Sequence, residues 1–371
     1  MTDTPAPPDT PPPRRSRFAE MARRVRDAVA PPESGVKTIN LALQGGGAYG
    51  AFTWGVLDGL LQDERLDFEA ISGTSAGAMN AVVLADGLMR DGVDGARAQL
   101  AEFWRGVSRA GVGGGATGDA MRNLLGFWDL PGFSPFAYFE HLANLTSSAY
   151  RNNPLNINPL RGLLEGLVDF DSVRANDALK LFVSATNVRN GKIRVFSGDE
   201  ITADAILASA CLPILFQAVE IDGEAYWDGG YMGNPALFPF YTETECADIL
   251  LVQVNPVRRE EVPKTAQAIM ERVAEITFNA SLLREFRAID FVNRLLEDNR
   301  LDPKRYKRNR LHRIDATEAL AHYTATSKLD TSWRFFEELH DAGEAAARAW
   351  LAEHYADIGV RATLDLRAEF G

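Results

Sequence analysis

The 371-residue chain contains little cysteine and little histidine, and both scarcities exclude classes of protein. Two cysteines, Cys211 and Cys246, cannot supply a disulfide framework or a cysteine-based zinc or iron–sulfur site. Cys211 is expected to be a buried thiol and not a second nucleophile. The five histidines show no HExxH or HxH spacing, so no metal site is expected.

Long apolar runs and an excess of positive charge are also missing. No apolar run approaches the ~18 residues that a transmembrane helix needs, and the N-terminus lacks the apolar segment of a secretory signal. The expected location is therefore the cytoplasm. Acidic residues outnumber basic ones by 51 to 39, so nucleic acid is not an expected partner. Apolar residues make up 46% of the chain, which is typical of a folded globular protein.

The first 34 residues differ in composition from the rest. Six prolines in residues 1–13 predict a disordered tail. Residues 14–30 carry six arginines against two acidic residues, and four apolar side chains fall at helical spacing: Phe18, Met21, Val25 and Val29. The favoured interpretation of this basic segment is a solvated arm or a helix packed on its own domain. Peripheral contact with the inner, anionic surface of a membrane is the alternative.

Residues 35–371 are expected to form one catalytic domain of the α/β class. Apolar runs bounded by glycine alternate with helical patterns, which predicts right-handed βαβ units and a mainly parallel sheet covered on both faces. The predicted strands are 38–44, 68–72, 180–188, 192–198, 247–256 and 310–316, with a hairpin over 216–230 that turns at Asp222-Gly223. The predicted helices include 78–89, 265–298 and 333–355.

One long stretch, residues 106–135, is rich in glycine and aromatic residues. Such a segment predicts either a surface loop or lid with a function, or a poorly ordered insertion. The aromatic side chains in and around it would form an apolar lid or ordinary core: Trp104, Phe127, Trp128, Phe133, Phe136 and Phe139.

A G-x-S-x-G motif, Gly73 to Gly77, follows a predicted strand and opens a predicted helix. A sharp strand-to-helix turn of this kind lifts the serine hydroxyl above the edge of the sheet. The N-terminus of the helix also favours negative charge that develops beside it. We therefore predict that Ser75 is a nucleophile and not part of a simple glycine turn.

A glycine-rich motif, Gly45 to Gly50, likewise follows a strand and opens a helix. Successive glycine N–H groups at a helix start can bind an anion, such as the oxyanion of an acyl-transfer intermediate. The motif also matches the dinucleotide fingerprint GxGxxG. A dinucleotide site needs an acid at the carboxyl end of the second strand. Here Asp67 and Glu69 lie at the start of that strand, so the oxyanion interpretation is favoured.

An acid lies at the exit of a later strand, where Asp228 precedes Gly229 and Gly230. An isolated Asp-Gly pair is more typical of a turn. In a chain with an exposed serine, however, this carboxylate is a candidate base.

The ordered motifs GGGAYG, GTSAG, ASACLP (208–213) and DGG resemble those of patatin-like phospholipases, over about residues 38 to 256. The resemblance implies a three-layer α/β/α sandwich with a mainly parallel central sheet, followed by a helical C-terminal part at 257–371. It also implies hydrolysis of the acyl esters of lipids, of the phospholipase A or lysophospholipase type. One departure is Tyr49, where many members have Arg or Lys, so head-group recognition by a basic side chain is not expected there.

The resemblance further implies a Ser–Asp dyad without a metal or organic cofactor. Ser75 would be the nucleophile and Asp228 its partner. The oxyanion hole would be formed by backbone N–H groups of Gly45, Gly46, Gly47 and Ala76. The remaining motif glycines are Gly50, Gly73, Gly77, Gly229 and Gly230. A carboxylate base requires a raised pKa, so the dyad predicts that Asp228 is partly desolvated.

An α/β-hydrolase-type esterase or polyester depolymerase with a Ser-His-Asp triad is the alternative. Such a triad needs a histidine after the acid, and His322, in a loop-like stretch, is the favoured candidate. His312 falls in a strand pattern, while His340 and His354 fall in helical patterns. A non-catalytic lipid-binding scaffold is a third possibility, against which the presence of both Ser75 and Asp228 argues.

The basic segment generates a first prediction. Deleting residues 1–34 should abolish weak binding to anionic vesicles, and binding by the full chain should fall as salt rises because charge attraction is screened. Hydrolysis of a short soluble ester should survive the deletion, since the motifs are untouched, whereas hydrolysis of vesicle lipid should drop. Vesicle sedimentation at low salt measures the binding. Equal sedimentation of both proteins would instead favour an arm packed on its own acidic domain.

Overall fold

An eight-stranded, mainly parallel sheet lies at the centre of the part of the chain that the structure describes. The structure is a computed structural model, and it describes residues 35–112, 148–213, 215–320, 323 and 331–370. The strands are β1 (Lys37–Leu43), β2 (Leu66–Gly73), β3 (Lys180–Asn187), β4 (Ile193–Ser197), β5 (Val219–Ile221), β6 (Glu224–Asp228), β7 (Asp248–Gln253) and β8 (Arg310–Asp315). Their order is β5-β6-β3-β2-β1-β7-β8, and β4 also pairs with β3. The pairings among β3, β2, β1, β7 and β8 are parallel, as the alternating pattern predicted.

Helices of very different length connect the strands. They are α1 (Gly50–Asp63), α2 (Ala76–Val112), α3 (Ala149–Asn152), α4 (Pro159–Leu167), α5 (Phe170–Arg174), α6 (Ala203–Ser209), α7 (Pro239–Thr242), α8 (Ala266–Glu297), α9 (Thr317–Leu320), α10 (Trp333–His354) and α11 (Leu366–Phe370). The backbone of α2 is interrupted at Asp91 and Gly92, where the dihedral angles are not helical. Side-chain caps, which satisfy otherwise unpaired N–H groups, begin α4, α6, α8 and α10 at Asn158, Thr202, Thr265 and Ser332.

Apolar side chains cover both faces of the sheet. On β1, Leu41 and Leu43 pack towards one layer and Ala42 towards the other, because successive side chains of a strand point to opposite faces. Helices α1, α2 and α10 bury their apolar side chains on the first face, and α7, α8 and α11 on the second. The predicted three-layer α/β/α sandwich is therefore confirmed, and the C-terminal helices are part of its two outer layers.

Two predictions about irregular segments have different outcomes. The hairpin turns at Asp222 and Gly223, whose φ angles of 53° and 78° match a tight turn between antiparallel strands. The predicted loop over 106–135 is wrong at its start, because residues 106–112 continue α2. Phe103 and Val107 extend the buried stripe of this helix past the glycine that suggested a break. Residues 113–135 lie outside the described residues, as do the basic segment and His322.

The carboxyl ends of β2 and β6 meet along one edge of β3. β2 pairs with residues 180–183 of β3, and β6 pairs with residues 185–187. Strand β4 pairs with the opposite edge of β3 over residues 182–186. β6 therefore pairs with the same edge as β2, beyond the point where β2 ends at Gly73. The turn after β2 and the last residue of β6, Asp228, therefore lie next to each other.

Helices α1 and α10 cross in close contact, and this contact generates a second prediction. A Cβ atom at Gly55 would lie 1.9 Å from the carbonyl oxygen of His340. The Gly55→Ala variant should therefore lose about 2 kcal/mol or more of unfolding free energy, because the two backbones must separate. Urea unfolding followed by circular dichroism measures the change.

A matched control is Gly162→Ala in α4, where an added Cβ would meet no atom within 4 Å. This control should be neutral or slightly stabilising, since alanine has the higher helix propensity. Equal losses in the two variants would contradict the role of the α1–α10 crossing.

Candidate active site

Ser75 lies in the sharp turn between β2 and α2. Its φ angle is 54°, an uncommon value for a residue with a side chain. Surrounding contacts hold this backbone: the Ser75 N–H donates to Ser209 Oγ at 2.9 Å, and Thr74 Oγ1 donates to the carbonyl oxygen of Gly233 at 2.7 Å. Gly77 is required because a Cβ there would lie 2.2 Å from the carbonyl oxygen of Leu43. The turn therefore presents a half-buried serine hydroxyl at the start of α2.

Asp228 is the last residue of β6, and its side chain is buried beside Ser75. Through Oδ1 the carboxylate accepts a hydrogen bond from the N–H of Gly230 at 2.7 Å, and Asp228 lines the same cleft as Ser75. Its backbone is held by Thr186 Oγ1, which donates to the carbonyl oxygen, and by the carbonyl oxygen of Cys211, which accepts from the N–H; both distances are 2.8 Å. These contacts hold the carboxylate in a fixed position within the cleft that Ser75 also lines.

Burial raises the pKa of Asp228 to about 7, against an ordinary value of 3.8. Desolvation disfavours the charged carboxylate, and the hydrogen bond from the N–H of Gly230 offsets only part of that effect. A carboxylate with a pKa near 7 is a much stronger base than an exposed aspartate. It can accept a proton at neutral pH, where a useful fraction is still ionised.

The glycine-rich loop lies directly against Ser75. A Cβ at Gly45 would approach Ser75 Cβ to 2.9 Å, so only glycine allows this contact. The structure corrects one expectation here: the N–H of Gly45 is not an oxyanion donor, because it already donates to Asn234 Oδ1 at 2.7 Å. Within the described ranges, the N–H groups of Gly46, Gly47 and Ala76 have no protein acceptor.

The three N–H groups share one cleft with the serine and the aspartate. Gly46, Gly47 and Ala76 all line this cleft together with Ser75 and Asp228. The N-terminus of α2, which carries the positive end of the helix dipole, and the tight turn at Gly47, whose φ angle is 60°, lie at the same part of the cleft. The arrangement can stabilise a negatively charged oxygen next to the serine hydroxyl.

The rest of the cleft is mostly apolar. Its apolar lining comprises Met79, Phe103, Trp104, Val107, Leu160, Ala210, Leu212, Ala274 and Phe278. Trp104, which the sequence analysis included among possible lid aromatics, is therefore a wall of the cleft. The other aromatics of that group lie outside the described residues. A wall of this composition suits a hydrocarbon chain.

The other motif glycines occur where the backbone has no room for a side chain. A Cβ at Gly50 would lie 2.7 Å from Ala76 Cβ, and one at Gly229 would lie 2.1 Å from the carbonyl oxygen of Ser184. Similar close contacts restrict Gly73 and Gly230. These glycines bring the two motif loops close to each other and to β3.

The histidines that the structure describes have partners away from the cleft. His312 contacts Asp248 and Thr363 inside the sheet region. His340 contacts Asp58, and His354 contacts Asp357. Cys211 is buried, as expected, and burial raises the pKa of its thiol to about 12. Neither these histidines nor this thiol is placed to activate Ser75.

The described residues hold one group of side chains with possible metal-ligand spacing: His340, Asp341 and Glu344. This group is on α10 and partly exposed, and His340 Nε2 already lies 3.1 Å from Asp58 Oδ2. It is separate from the cleft that contains Ser75 and Asp228.

Three polar residues that hold the site were not among the predicted site residues: Ser209, Asn234 and Asn255. Asn255 Nδ2 donates to the carbonyl oxygen of Gly45 at 2.6 Å. A usable signal existed for Asn255, because it lies at the carboxyl end of the predicted strand 247–256, two residues beyond the end of β7. Carboxyl ends of parallel strands converge at one edge of the sheet, where polar residues commonly serve a site.

Comparison with known proteins places these motifs in context. A model of the patatin-like phospholipase family matches residues 41–241, more than half of the chain. No match to a curated protein was found by sequence.

Two solved structures are similar to the chain. VipD from Legionella pneumophila has 16% identity and a TM-score of 0.39, over 85% of this chain and 67% of that one. The complex of SpcU with ExoU, from the type III secretion system of Pseudomonas aeruginosa, has 15% identity and a TM-score of 0.29, over 85% of this chain and 54% of that one. The chain thus spans about half the length of the second neighbour.

None of the described helices combines the length and the apolar composition that crossing a bilayer requires.

The raised pKa of Asp228 generates a third prediction. The carboxyl group of Asp228 has a pKa of 3.8 in the unfolded chain and about 7 in the folded protein. Its contribution to the free energy of unfolding is therefore complete below pH 3.8 and is lost as the pH rises through 7. Asp228→Asn removes this loss. From about pH 5 to about pH 8, the variant should gain about 3 kcal/mol of unfolding free energy relative to the original protein, at ~1.4 kcal/mol per pKa unit.

Thermal and urea unfolding at both pH values measure this gain. Asp222→Asn, at the exposed hairpin turn, is the matched control and should show no such pH-dependent difference. Parallel pH dependence in the original protein and in Asp228→Asn would contradict a desolvated carboxylate.

Proposed function

Since the chain belongs to the patatin-like phospholipase family, we propose that it cleaves carboxylic esters of lipids through a Ser75–Asp228 dyad. The observation that carries the proposal is that Ser75 and the buried Asp228 line the same cleft, where burial raises the pKa of the carboxyl group to about 7. Membership of the family supports the general activity, a lipid ester hydrolase. The geometry supports the assignment of the two residues.

In the proposed reaction, Ser75 Oγ attacks the ester carbonyl carbon while Asp228 accepts the hydroxyl proton. The carbonyl oxygen becomes an oxyanion, which the N–H groups of Gly46, Gly47 and Ala76 stabilise. Collapse of the tetrahedral intermediate breaks the bond to the alcohol, which leaves with the proton from Asp228. Water then attacks the acyl-enzyme while Asp228 accepts its proton. When the second tetrahedral intermediate collapses, the bond between the acyl carbon and Ser75 Oγ breaks, Asp228 returns the proton to Ser75 Oγ, and the fatty acid leaves.

The expected substrates are acyl lipids, cleaved in the manner of a phospholipase A or a lysophospholipase. The apolar walls of the cleft support an acyl chain as the bound group. Tyr49, which stands where many relatives have a basic residue, is buried and offers no charge to a head group. Peripheral contact of residues 14–30 with the cytoplasmic membrane surface is proposed as the route to such substrates.

Ser75→Ala provides the fourth prediction. The variant should fold normally and lose at least about 1,000-fold in kcat on a short soluble ester, because the nucleophile is absent. It should also lose all labelling by a fluorophosphonate probe. Ser148→Ala is the matched control, since this serine is exposed and its side chain caps no helix N–H. More than a few per cent residual activity in purified Ser75→Ala would refute the nucleophile assignment.

The same assays distinguish the dyad from a triad. Asp228→Asn should lose activity nearly as completely as Ser75→Ala, because the two residues act as a unit. His322→Ala should remain active. The opposite result would favour the α/β-hydrolase-type esterase or polyester depolymerase with a Ser-His-Asp triad.

A further inference from the structure

The peptide group between Gly45 and Gly46 is held by a side chain from a distant part of the sequence. Asn255 Nδ2 donates to the carbonyl oxygen of Gly45 at 2.6 Å. The N–H of the same peptide group belongs to Gly46, which lines the cleft with Ser75. In a planar trans peptide the C=O and N–H bonds point in opposite directions. A hydrogen bond that fixes the carbonyl oxygen therefore also fixes the direction of the Gly46 N–H.

Three successive glycines would otherwise allow this peptide considerable rotation, because glycine has the widest backbone freedom of any residue. The preceding peptide is held as well, since the Gly45 N–H donates to Asn234 Oδ1 at 2.7 Å. Side chains from two separate loops thus hold both peptide groups of Gly45. The rotation that remains is small, and the N–H of Gly46 is presented to the cleft in one direction.

Asn255 is itself held firmly. Its N–H donates to Gln44 Oε1 at 2.8 Å, and its carbonyl oxygen accepts from Gln253 Nε2 at 2.9 Å. Gln44 is fully buried, and its Nε2 donates to Asn279 Oδ1 at 2.8 Å. These contacts link the ends of β1 and β7 to α8. The anchor of the glycine loop is therefore part of the rigid sandwich and not of a surface loop.

We infer that Asn255 is a positioning residue, which directs the N–H of Gly46 into the oxyanion hole by holding the other end of the same peptide group. The inference rests on the proposed function, because Asn255 can have this role only if an oxyanion forms beside Ser75. Asn255 also lines the cleft, but its Nδ2 is bonded to the carbonyl oxygen of Gly45, so we assign it a role through that peptide and not in proton transfer.

Asn255→Ala tests the inference with the full-length protein and a short soluble ester. The kcat should fall by about 10- to 100-fold, less than the ~100- to 1,000-fold typical of removing an oxyanion donor outright. The KM should change by less than about twofold, because the lost interaction acts on charge that develops only in the transition state. The acidic limb of the pH profile should keep its apparent pKa near 7, since the contacts of Asp228 are unchanged. A merely structural defect would not separate kcat from KM in this way.

Asn293→Ala is the matched control. Asn293 Nδ2 also donates to a backbone carbonyl, that of Asn309 at 2.8 Å, but it lies far along α8 from the cleft. This variant should keep its kcat. Asn255→Asp is a second test that preserves side-chain size and fold, and it should lose kcat similarly because an ionised carboxylate has no proton to donate.

Three outcomes would overturn the positioning role: an unchanged kcat in Asn255→Asp, an equal kcat loss in Asn293→Ala, or a loss confined to KM. Ser75→Ala, measured in parallel, separates the two claims. Loss of activity in Ser75→Ala but not in the Asn255 variants rejects the positioning role alone. Activity retained by Ser75→Ala rejects the proposed function and this inference together.

Discussion

The site depends on one feature of the sheet: β2 and β6 pair with successive parts of the same edge of β3. β2 ends at Gly73, opposite Val183, and β6 ends at Asp228, opposite Ala185. Two strands that approach the same edge from opposite directions therefore stop within two residues of each other. The chain must turn away at both ends; the turn after β2 contains Ser75, and the turn after β6 contains Gly229 and Gly230.

Close packing at this junction explains several unusual features together. The positive φ angle of Ser75 costs conformational energy, which contacts with Ser209 and Gly233 offset. The burial of Asp228 also costs free energy when the carboxylate is ionised, and the raised pKa expresses that cost. A less rigid scaffold would relax both features. The apolar layers on the two faces of the sheet prevent such relaxation.

Polar side chains behind the glycine loop complete the site. Gln44 Oε1 accepts from two successive backbone N–H groups, those of Val254 and Asn255. Asn255 and Asn234 then hold the two peptide groups of Gly45. Such buried, mutually bonded groups are more rigid than a solvated loop. Preorganised N–H groups need no rearrangement when negative charge develops, which is the condition for strong electrostatic stabilisation.

The sequence alone determined the features that depend on local pattern. Alternating strands and helices predicted the sandwich, and the strand–glycine–helix context identified Ser75 and the glycine loop, because turn chemistry and hydrophobic periodicity act over a few residues. The hairpin at Asp222-Gly223 was predictable for the same reason. The extension of α2 through residues 106–112 was not, because buried contacts of Phe103 and Val107 overrode the local effect of glycine.

Only the tertiary structure decided which N–H group of the glycine loop is bonded to a side chain and how deeply the aspartate is buried. Gly45, Gly46 and Gly47 are indistinguishable in sequence. They differ in their contacts with distant residues. Asn234, 189 residues from Gly45, accepts the N–H of Gly45, and Asn255, 210 residues from Gly45, donates to its carbonyl oxygen. The raised pKa of Asp228 likewise follows from its burial, which outweighs the opposing hydrogen bond from the N–H of Gly230. Desolvation and hydrogen-bond direction depend on atoms that meet only after folding, and no local pattern contains them.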